Sequence, residues 1–435
     1  MSDYSAVMNG QSNKAGVFSG WRIMGILFFA YMFTMGFAFY AYTVLFPAMV
    51  EDLGWNRGTA SIAQTLNILL MGGLFPPLMA LSMNKFGAKK SMVLGSTFLI
   101  MGLILLGTLT SHIWQFVLFW GVFVSFGFSF AGAVPVQNTL FFWFSKKRAM
   151  ALGIVMTGGA VGGFIAQPMY TWVLQNTGNW QTCWRVAGGI AVVSLILVLF
   201  LINKPQDVGQ FPDGIDPEQD TRTDHDDGKK GNAPFRTTEK WLLKEIFKTP
   251  QIYFLILMSL AYTLPLFLIT SHGVLHFVDG GLQRMQAASI LSATVLASGI
   301  ARLPAGLIAD RFEPRWIAMA VMAAMFASML GLWKLNQFNM LLLSGIVFGI
   351  CFGTMTIIHP IIMGNYYGPE SFASIMGTLG PFTVLFMSSV PVASGFIYEE
   401  MGNYNCAFFA MFFFILIAGV AAFFLKPPHR KQIKI

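Results

Sequence analysis

Apolar positions arrive in runs of about 20 residues separated by short polar breaks, the length at which a helix spans the hydrocarbon core of a bilayer. Windows of about 19 residues predict twelve membrane helices, at 22–46, 57–83, 90–110, 113–142, 149–175, 182–203, 250–278, 286–309, 316–334, 339–366, 371–398 and 404–426. Between the sixth and seventh lies one long polar stretch, 204–249, which carries 18 of the chain's 46 Asp, Glu, Lys and Arg residues. Pro205, Pro212, Pro217 and the run Asp224-His225-Asp226-Asp227 mark it as a flexible linker. Its end, from Glu239 to Phe247, reads as a short amphipathic helix lying at the membrane surface. The expected organisation is an N-terminal tail 1–21, a six-helix half 22–203, the linker 204–249, a second six-helix half 250–426 and a C-terminal tail 427–435.

The halves echo one another. Phe126-Gly127-Phe128-Ser129-Phe130 matches Phe348-Gly349-Ile350-Cys351-Phe352, Gly178-Asn179-Trp180 matches Gly402-Asn403-Tyr404, and Asn84-Lys85-Phe86 answers Asp310-Arg311-Phe312. Three matches in one order at nearly constant offset point to an internal repeat. The fold class is therefore an all-α membrane protein of twelve transmembrane helices in two pseudo-symmetric halves, the architecture of a rocking transporter with its site between the halves.

Composition narrows the reading. Of 435 residues 55% are hydrophobic and 11% charged, against roughly 25% charged in soluble domains, and the mean hydropathy is +0.64. A soluble enzyme, a disordered chain and a disulfide scaffold are excluded. Cys183, Cys351 and Cys406 lie far apart in apolar runs and read as packing residues, with no metal spacing. Residues 1–18 are polar and lack a signal-peptide core, so the first span is expected to serve as the insertion signal. The net charge of +8 concerns topology and not nucleic acid. With both termini and the linker on one side, 22 of 27 Lys and Arg residues fall there, which makes that side cytoplasmic. The expected location is the plasma membrane, or the inner membrane in a bacterium, and the expected state a monomer.

Polar groups inside spans are costly and mark function by default. Of the 19 acids, ten lie in the linker and the rest in loops or at span ends, Asp310 among them, which disfavours a cationic substrate. One basic residue, Arg302, lies within span 8, eight residues from Asp310, or roughly 12 Å along a helix. Burying it there costs on the order of 2.5–3.5 kcal/mol, and no buried acid offsets this. The economical reading is that the missing anion is the substrate, held by a bidentate guanidinium–carboxylate pair. A single buried cation favours a monoanion. Tyr40, Tyr42, Asn67, Gln137, Asn138 and Tyr262 are further pocket candidates, and His272 and His359 are candidates to carry a proton. Glycines Gly158, Gly159, Gly162 and Gly163 lack the Lys-Ser or Lys-Thr of a phosphate loop and read as helix packing. No cofactor, metal cluster or hydrolytic triad is expected, and no enzyme activity.

Gly306-Leu307-Ile308-Ala309-Asp310-Arg311-Phe312 resembles the loop motif of the major facilitator superfamily, with a degenerate copy at Ala80 to Lys90. Phe142-Trp143-Phe144-Ser145-Lys146-Lys147-Arg148-Ala149-Met150-Ala151-Leu152-Gly153, running into Gly158-Gly159, resembles the fifth-span signature of monocarboxylate transporters and their oxalate–formate relatives. Tyr367 to Gly377 fits the same branch. The resemblance implies the major facilitator fold, a small organic anion as substrate with a proton or counter-anion as partner, and a span 8 arginine, here Arg302, that binds the carboxylate. It also implies a conformational latch at Asp310 and Arg311. Asp310 itself can pair with Arg311, Arg315 or a neighbouring helix end, whereas Asn84 in the first half cannot pair ionically. Two departures stand against the proton relay of the animal carriers: Ser298 replaces an acid four residues before Arg302, and Ala48 follows Pro47 where a lysine is expected. The oxalate exchangers' second cation is missing from 371–398. The expectation is a monocarboxylate carrier working by alternating access, with an anion exchanger as the alternative and a non-transporting anion sensor from a different class.

Overall fold

The computed structural model describes residues 18–55, 57–215, 235–237 and 239–428, and among these it is helical with no strand. A lipid-facing backbone must satisfy its own polar groups, and the apolar runs do so as helices. Among the described residues eleven uninterrupted stretches are long and apolar enough to cross a membrane, and one of them is two helices in succession. They are α1 Gly20–Asp52, α2 and α3 together Ile62–Leu109, α4 Ile113–Trp143, α5 Arg148–Thr177, α6 Trp180–Leu199, α7 Pro250–Asp279, α8 Arg284–Ala309, α9 Pro314–Lys334, α10 Phe338–Tyr367, α11 Pro369–Met401 and α12 Asn405–Phe423. The expected break between α2 and α3 shrinks to one residue, Gly87, at φ +83°. Glycine takes that conformation without strain. The Asn203 side chain closes over it and accepts the Lys89 N–H at 2.7 Å.

Each half packs through small residues, as membrane helices do. In the first half α1 and α5 touch backbone to backbone. A Cβ on Gly162 would stand 2.5 Å from the Met32 carbonyl oxygen, and Gly158, Gly159 and Gly163 face Phe28, Tyr31 and Tyr40. The span 5 glycines are thus packing residues. In the second half Gly349 and Gly353 bring α10 against the carbonyls of Thr294 and Ser298 on α8, leaving no room for a Cβ. That contact fixes the helix that carries Arg302.

The halves meet along two seams. α5 lies against α8, with Gly153 beside the Arg302 carbonyl and Gly306 beside that of Ala149. α2 lies against α11, with Gly377 and Gly380 beside the carbonyls of Pro76 and Gly72.

The described parts of the linker differ from the expectation. Glu239 to Phe247 is not an amphipathic surface helix, since Leu243–Ile246 alone is helical there. Trp241 is buried against Tyr367, with ring centroids 5.6 Å apart. Its backbone N–H donates to the Ser371 hydroxyl at 2.8 Å, and that hydroxyl donates back to its carbonyl. Residues 204–215 form two 3-10 turns, Pro205–Val208 and Pro212–Gly214, docked on the same face of the bundle, called here the linker face. Asp224 to Asp227 and the two chain ends beyond 18 and 428 lie outside the described residues.

Candidate functional site

α1, α5 and α8 enclose a cavity of about 180 Å³ between the halves. Tyr31, Met35, Phe39 and Tyr40 come from α1, Gly159 and Ala160 from α5, and Val295, Ser298, Gly299 and Arg302 from α8. The wall on α1 spans its π-helical turn, Met32–Ala38; such wider turns recur at functional sites. The small residues of α5 and α8 leave the opening and the aromatic residues of α1 border it.

Arg302 supplies the site's charge. Its Nη1 donates to the Met156 carbonyl at 3.4 Å, while its buried Nε has no protein acceptor. Among the described residues no carboxylate lies within ion-pair distance of it. A guanidinium with five donors is therefore presented to a cavity with most of its hydrogen-bonding capacity unused.

Of the other candidates, Tyr40 borders the cavity with Arg302. Tyr42 stacks on Phe46 and Trp120 at 4.9 and 5.1 Å, inside the first half. Asn67 is fully buried and donates to the Trp120 carbonyl at 2.8 Å. Gln137 donates to the Met156 sulfur at 3.6 Å, so it touches the residue whose carbonyl holds Arg302. Asn138 is buried, with its Oδ1 unmatched. Tyr262 and His359 neighbour each other, with ring centroids 5.8 Å apart, and His359 Nε2 lies 2.9 Å from the Leu255 carbonyl, which makes it the donor. His272 bridges the Pro391 carbonyl at 3.0 Å and the Tyr404 hydroxyl at 3.1 Å, linking α7, α11 and the start of α12. None of these seven borders the cavity. Tyr31, Met35 and Phe39 were missed, although their i, i+4, i+8 spacing places them on one helix face.

A second polar constellation lies on the linker face. Asp310, at the end of α8, accepts the backbone N–H groups of Ala149 and Met150 at 2.9 and 2.7 Å, so a carboxylate of one half caps the first turn of a helix of the other. Its facing arginine is Arg236 of the linker, 3.9 Å away. The expected latch partner Arg311 is exposed instead, because the chain turns outward directly after Asp310 while that carboxylate points into the seam. Burial pushes the Asp310 carboxyl up to about 6, against the opposing pull of the two N–H donors and Arg236, and burial also lowers Arg236. At 3.9 Å their attraction does not repay the desolvation.

Two more contacts join the halves here. Arg148, 3% exposed, donates to the Asn365 side chain at 2.7 Å and to the carbonyls of Phe144 and Phe141. Asn84, in the first-half copy of the loop motif, donates to the Ser374 hydroxyl at 2.8 Å. The hydrogen bonds linking the halves at Asn84, Arg148, Ala149, Met150 and Arg302 all lie at the level of the cavity or nearer the linker face. The conformation is one in which that face is closed.

Two six-helix halves with a polar cavity between them define a membrane transporter of the two-repeat kind. A family model described as the Major Facilitator Superfamily matches residues 27–283 and 278–435, and the chain belongs to that superfamily. It is 25% identical over 385 residues to Monocarboxylate transporter 12 of Rattus norvegicus, covering 83% of this chain and 77% of that protein. It is 22% identical over 309 residues to Uncharacterized transporter ESBP6 of Saccharomyces cerevisiae, covering 70% of this chain and spanning 43% of the yeast protein's length. The fold is similar to that of the E. coli fucose:proton symporter FucP, with a TM-score of 0.70, 13% identity and coverage of 94% and 98% of the two chains.

Proposed function

We propose that the protein is a secondary carrier for a small organic monocarboxylate, working by alternating access with a proton as partner. One observation carries this reading: Arg302 faces a cavity between the halves with no carboxylate beside it among the described residues. A monoanion entering there neutralises the guanidinium through a bidentate pair, which removes the electrostatic cost of moving a bare charge and permits the halves to rock. The cavity's 180 Å³ is small beside the roughly 300–1,000 Å³ of pockets for drug-sized ligands, which suits an acid of a few carbons. The aromatic residues of α1 suit its apolar body. Several relatives are named monocarboxylate transporters, which supports the same substrate class. The excess of Lys and Arg on the linker face makes that face cytoplasmic.

The test is uptake of labelled lactate, pyruvate, acetate, aromatic acids and oxalate into proteoliposomes, with and without an inward proton gradient. Gradient-stimulated uptake of a monoacid supports the reading. Uptake confined to vesicles preloaded with acid makes the protein an exchanger, and saturable binding without accumulation makes it a sensor. With a proton as partner, uptake rises as external pH falls, because the proton is then a co-substrate supplied from that side. His272→Gln or His359→Gln should flatten that profile; an unaltered profile in both removes the histidines from the relay.

Asp310 gives the closed linker face its own pH dependence. Burial holds its carboxyl at about 6 when the seam is closed, above the ordinary 3.8 of an aspartate. The closed form therefore binds the proton more tightly, and closure gains as pH on that face falls from above 6 toward 4. Complete release of the carboxyl to water on opening would make this gain about 3 kcal/mol. Glu313, also raised by burial, acts in the same direction, with Arg236 and Asp213 as the other charges facing Asp310. Spin labels across the linker face should report a larger closed fraction at pH 4.5 than at pH 7.5. The opposite trend, or none, excludes Asp310 from control of closure.

A further inference from the structure

Both ends of the linker reach the same point of the closed seam. At one end, Asp213 accepts the backbone N–H groups of Ser145 at 2.7 Å, Lys147 at 3.3 Å and Lys146 between them. Asp213 is the non-glycine residue at positive φ, +57°, among the described residues. Such strain persists where surrounding contacts hold it, and here the three N–H bonds do so. At the other end, Arg236 donates from Nη2 to the Lys146 carbonyl at 3.0 Å and faces Asp310 of the opposite half. Its neighbours fasten to the second half, with the Phe235 N–H on the Glu313 carboxylate at 2.9 Å, the Thr237 N–H on the Asn365 carbonyl at 2.9 Å, and Trp241 buried on Tyr367. Lys204 and Lys240 both approach Glu370, at 3.5 and 3.8 Å. The start of α5 is consequently capped twice, by Asp213 from the linker and by Asp310 from the other half.

We propose that the linker is a strap that holds the linker face closed, with Asp213 and Arg236 as its positioning residues. Asp213 fixes the turn before α5 in the geometry that receives Asp310. Arg236 ties that turn to the second half, and the contacts of Phe235, Thr237 and Trp241 keep Arg236 in place. Opening the linker face separates Lys146 from Asp310 and so must pull Arg236 from one of them. The inference takes the movement of the two halves from the reading above and does not depend on which anion is carried.

The test uses the full chain in lipid nanodiscs with Cys406, the exposed cysteine, replaced by serine. Spin labels at the exposed positions Lys85 and Lys426, one on each half, report closure by their distance distribution. Arg236→Ala and Asp213→Ala are each expected to raise the longer-distance population about tenfold, the scale of losing hydrogen bonds to a charged group. Arg236→Lys, which keeps the charge without the fork, should fall between. Apparent affinity measured from the linker side should improve in Arg236→Ala and worsen from the opposite side, a split that general destabilisation does not produce. Distance distributions matching the unmodified chain in both alanine variants would overturn the strap. The expected distance shift in the variants, together with no uptake or exchange of any acid by the unmodified chain, would instead refute only the carrier reading. A variant that fails to elute as a folded monomer is replaced by Arg236→Lys with Asp213→Asn, to which the same criteria apply.

Discussion

Arg302→Gln should reduce uptake by about a hundredfold or more while the protein still inserts and folds. A guanidinium that grips a carboxylate through two charge-assisted hydrogen bonds supplies roughly 1.5–3 kcal/mol for each, and glutamine offers neither the charge nor the fork. Arg302→Lys should fail as well, since an ammonium cannot bind both carboxylate oxygens in one plane. Thermal stability separates this role from a structural one. Arg302 makes one long bond to the Met156 carbonyl and leaves Nε unmatched, so its removal relieves a burial cost of about 2.5–3.5 kcal/mol. The glutamine variant should melt no lower than the unmodified chain. Full activity in either variant would remove Arg302 from the site, and a large fall in melting temperature would make it a structural residue.

Gly306→Val is expected to abolish transport by a different route. A Cβ at this position would stand 2.3 Å from the Ala149 carbonyl oxygen and 3.3 Å from the Gly153 Cα. Both are backbone atoms of a continuous helix, so no rotamer change relieves the overlap and α5 must move away from α8. Overpacking of this kind costs about 1–3 kcal/mol or more, enough to lower the closed population by roughly tenfold to a hundredfold. Closure also brings Asp310 onto the α5 N-terminus, so the variant loses that cap too. Gly25→Val is the control, because a Cβ there meets nothing within 4 Å; its uptake should stay within about twofold, as for a surface substitution. Equal activity in the two variants would mean that the α5–α8 contact is not required by the cycle.

Much of the architecture was legible because a membrane imposes its thickness on the sequence. The runs that predicted twelve spans reappear as α1 to α12, with ends displaced where a helix outlasts its apolar run, as α1 does in reaching Asp52. The α2–α3 junction was less visible, since one glycine turns the chain without a polar gap. Arg302 could be found because it is the cation placed well inside a predicted span, away from its ends, with no acid in the spans to pair it. The cavity wall could not. With 43 phenylalanines and 27 methionines in the chain, type alone does not distinguish Phe39 at the cavity from Phe46 stacked on Tyr42. Helix rotation decides it, and rotation is set by the glycine contacts between α1 and α5. The polar candidates strayed for the same reason, Asn67 and Tyr42 being turned toward Trp120. Asp213 and Arg236 read as solvated linker charges because their partners are backbone groups 66 to 90 residues away, which no side-chain pattern records.

The two seams between the halves are unequal. α5 and α8 are held by Asp310 on two backbone donors, with Asp213 and Arg236 around the same turn. α2 and α11 share one amide–hydroxyl bond, from Asn84 to Ser374, beside their close backbone approach. A rotation centred midway would break both sets at once. One centred nearer α5 and α8 breaks the weaker set first and leaves the charged cluster until last. In the cycle proposed above, the pivot would thereby be drawn off the pseudo-symmetry axis, and the passage to the linker side would widen first between α2 and α11. A pair of identical repeats would have no such preference. Under that cycle, the exchange of an aspartate for an asparagine at matching positions, Asp310 and Asn84, would make a symmetric frame swing like a door on one jamb.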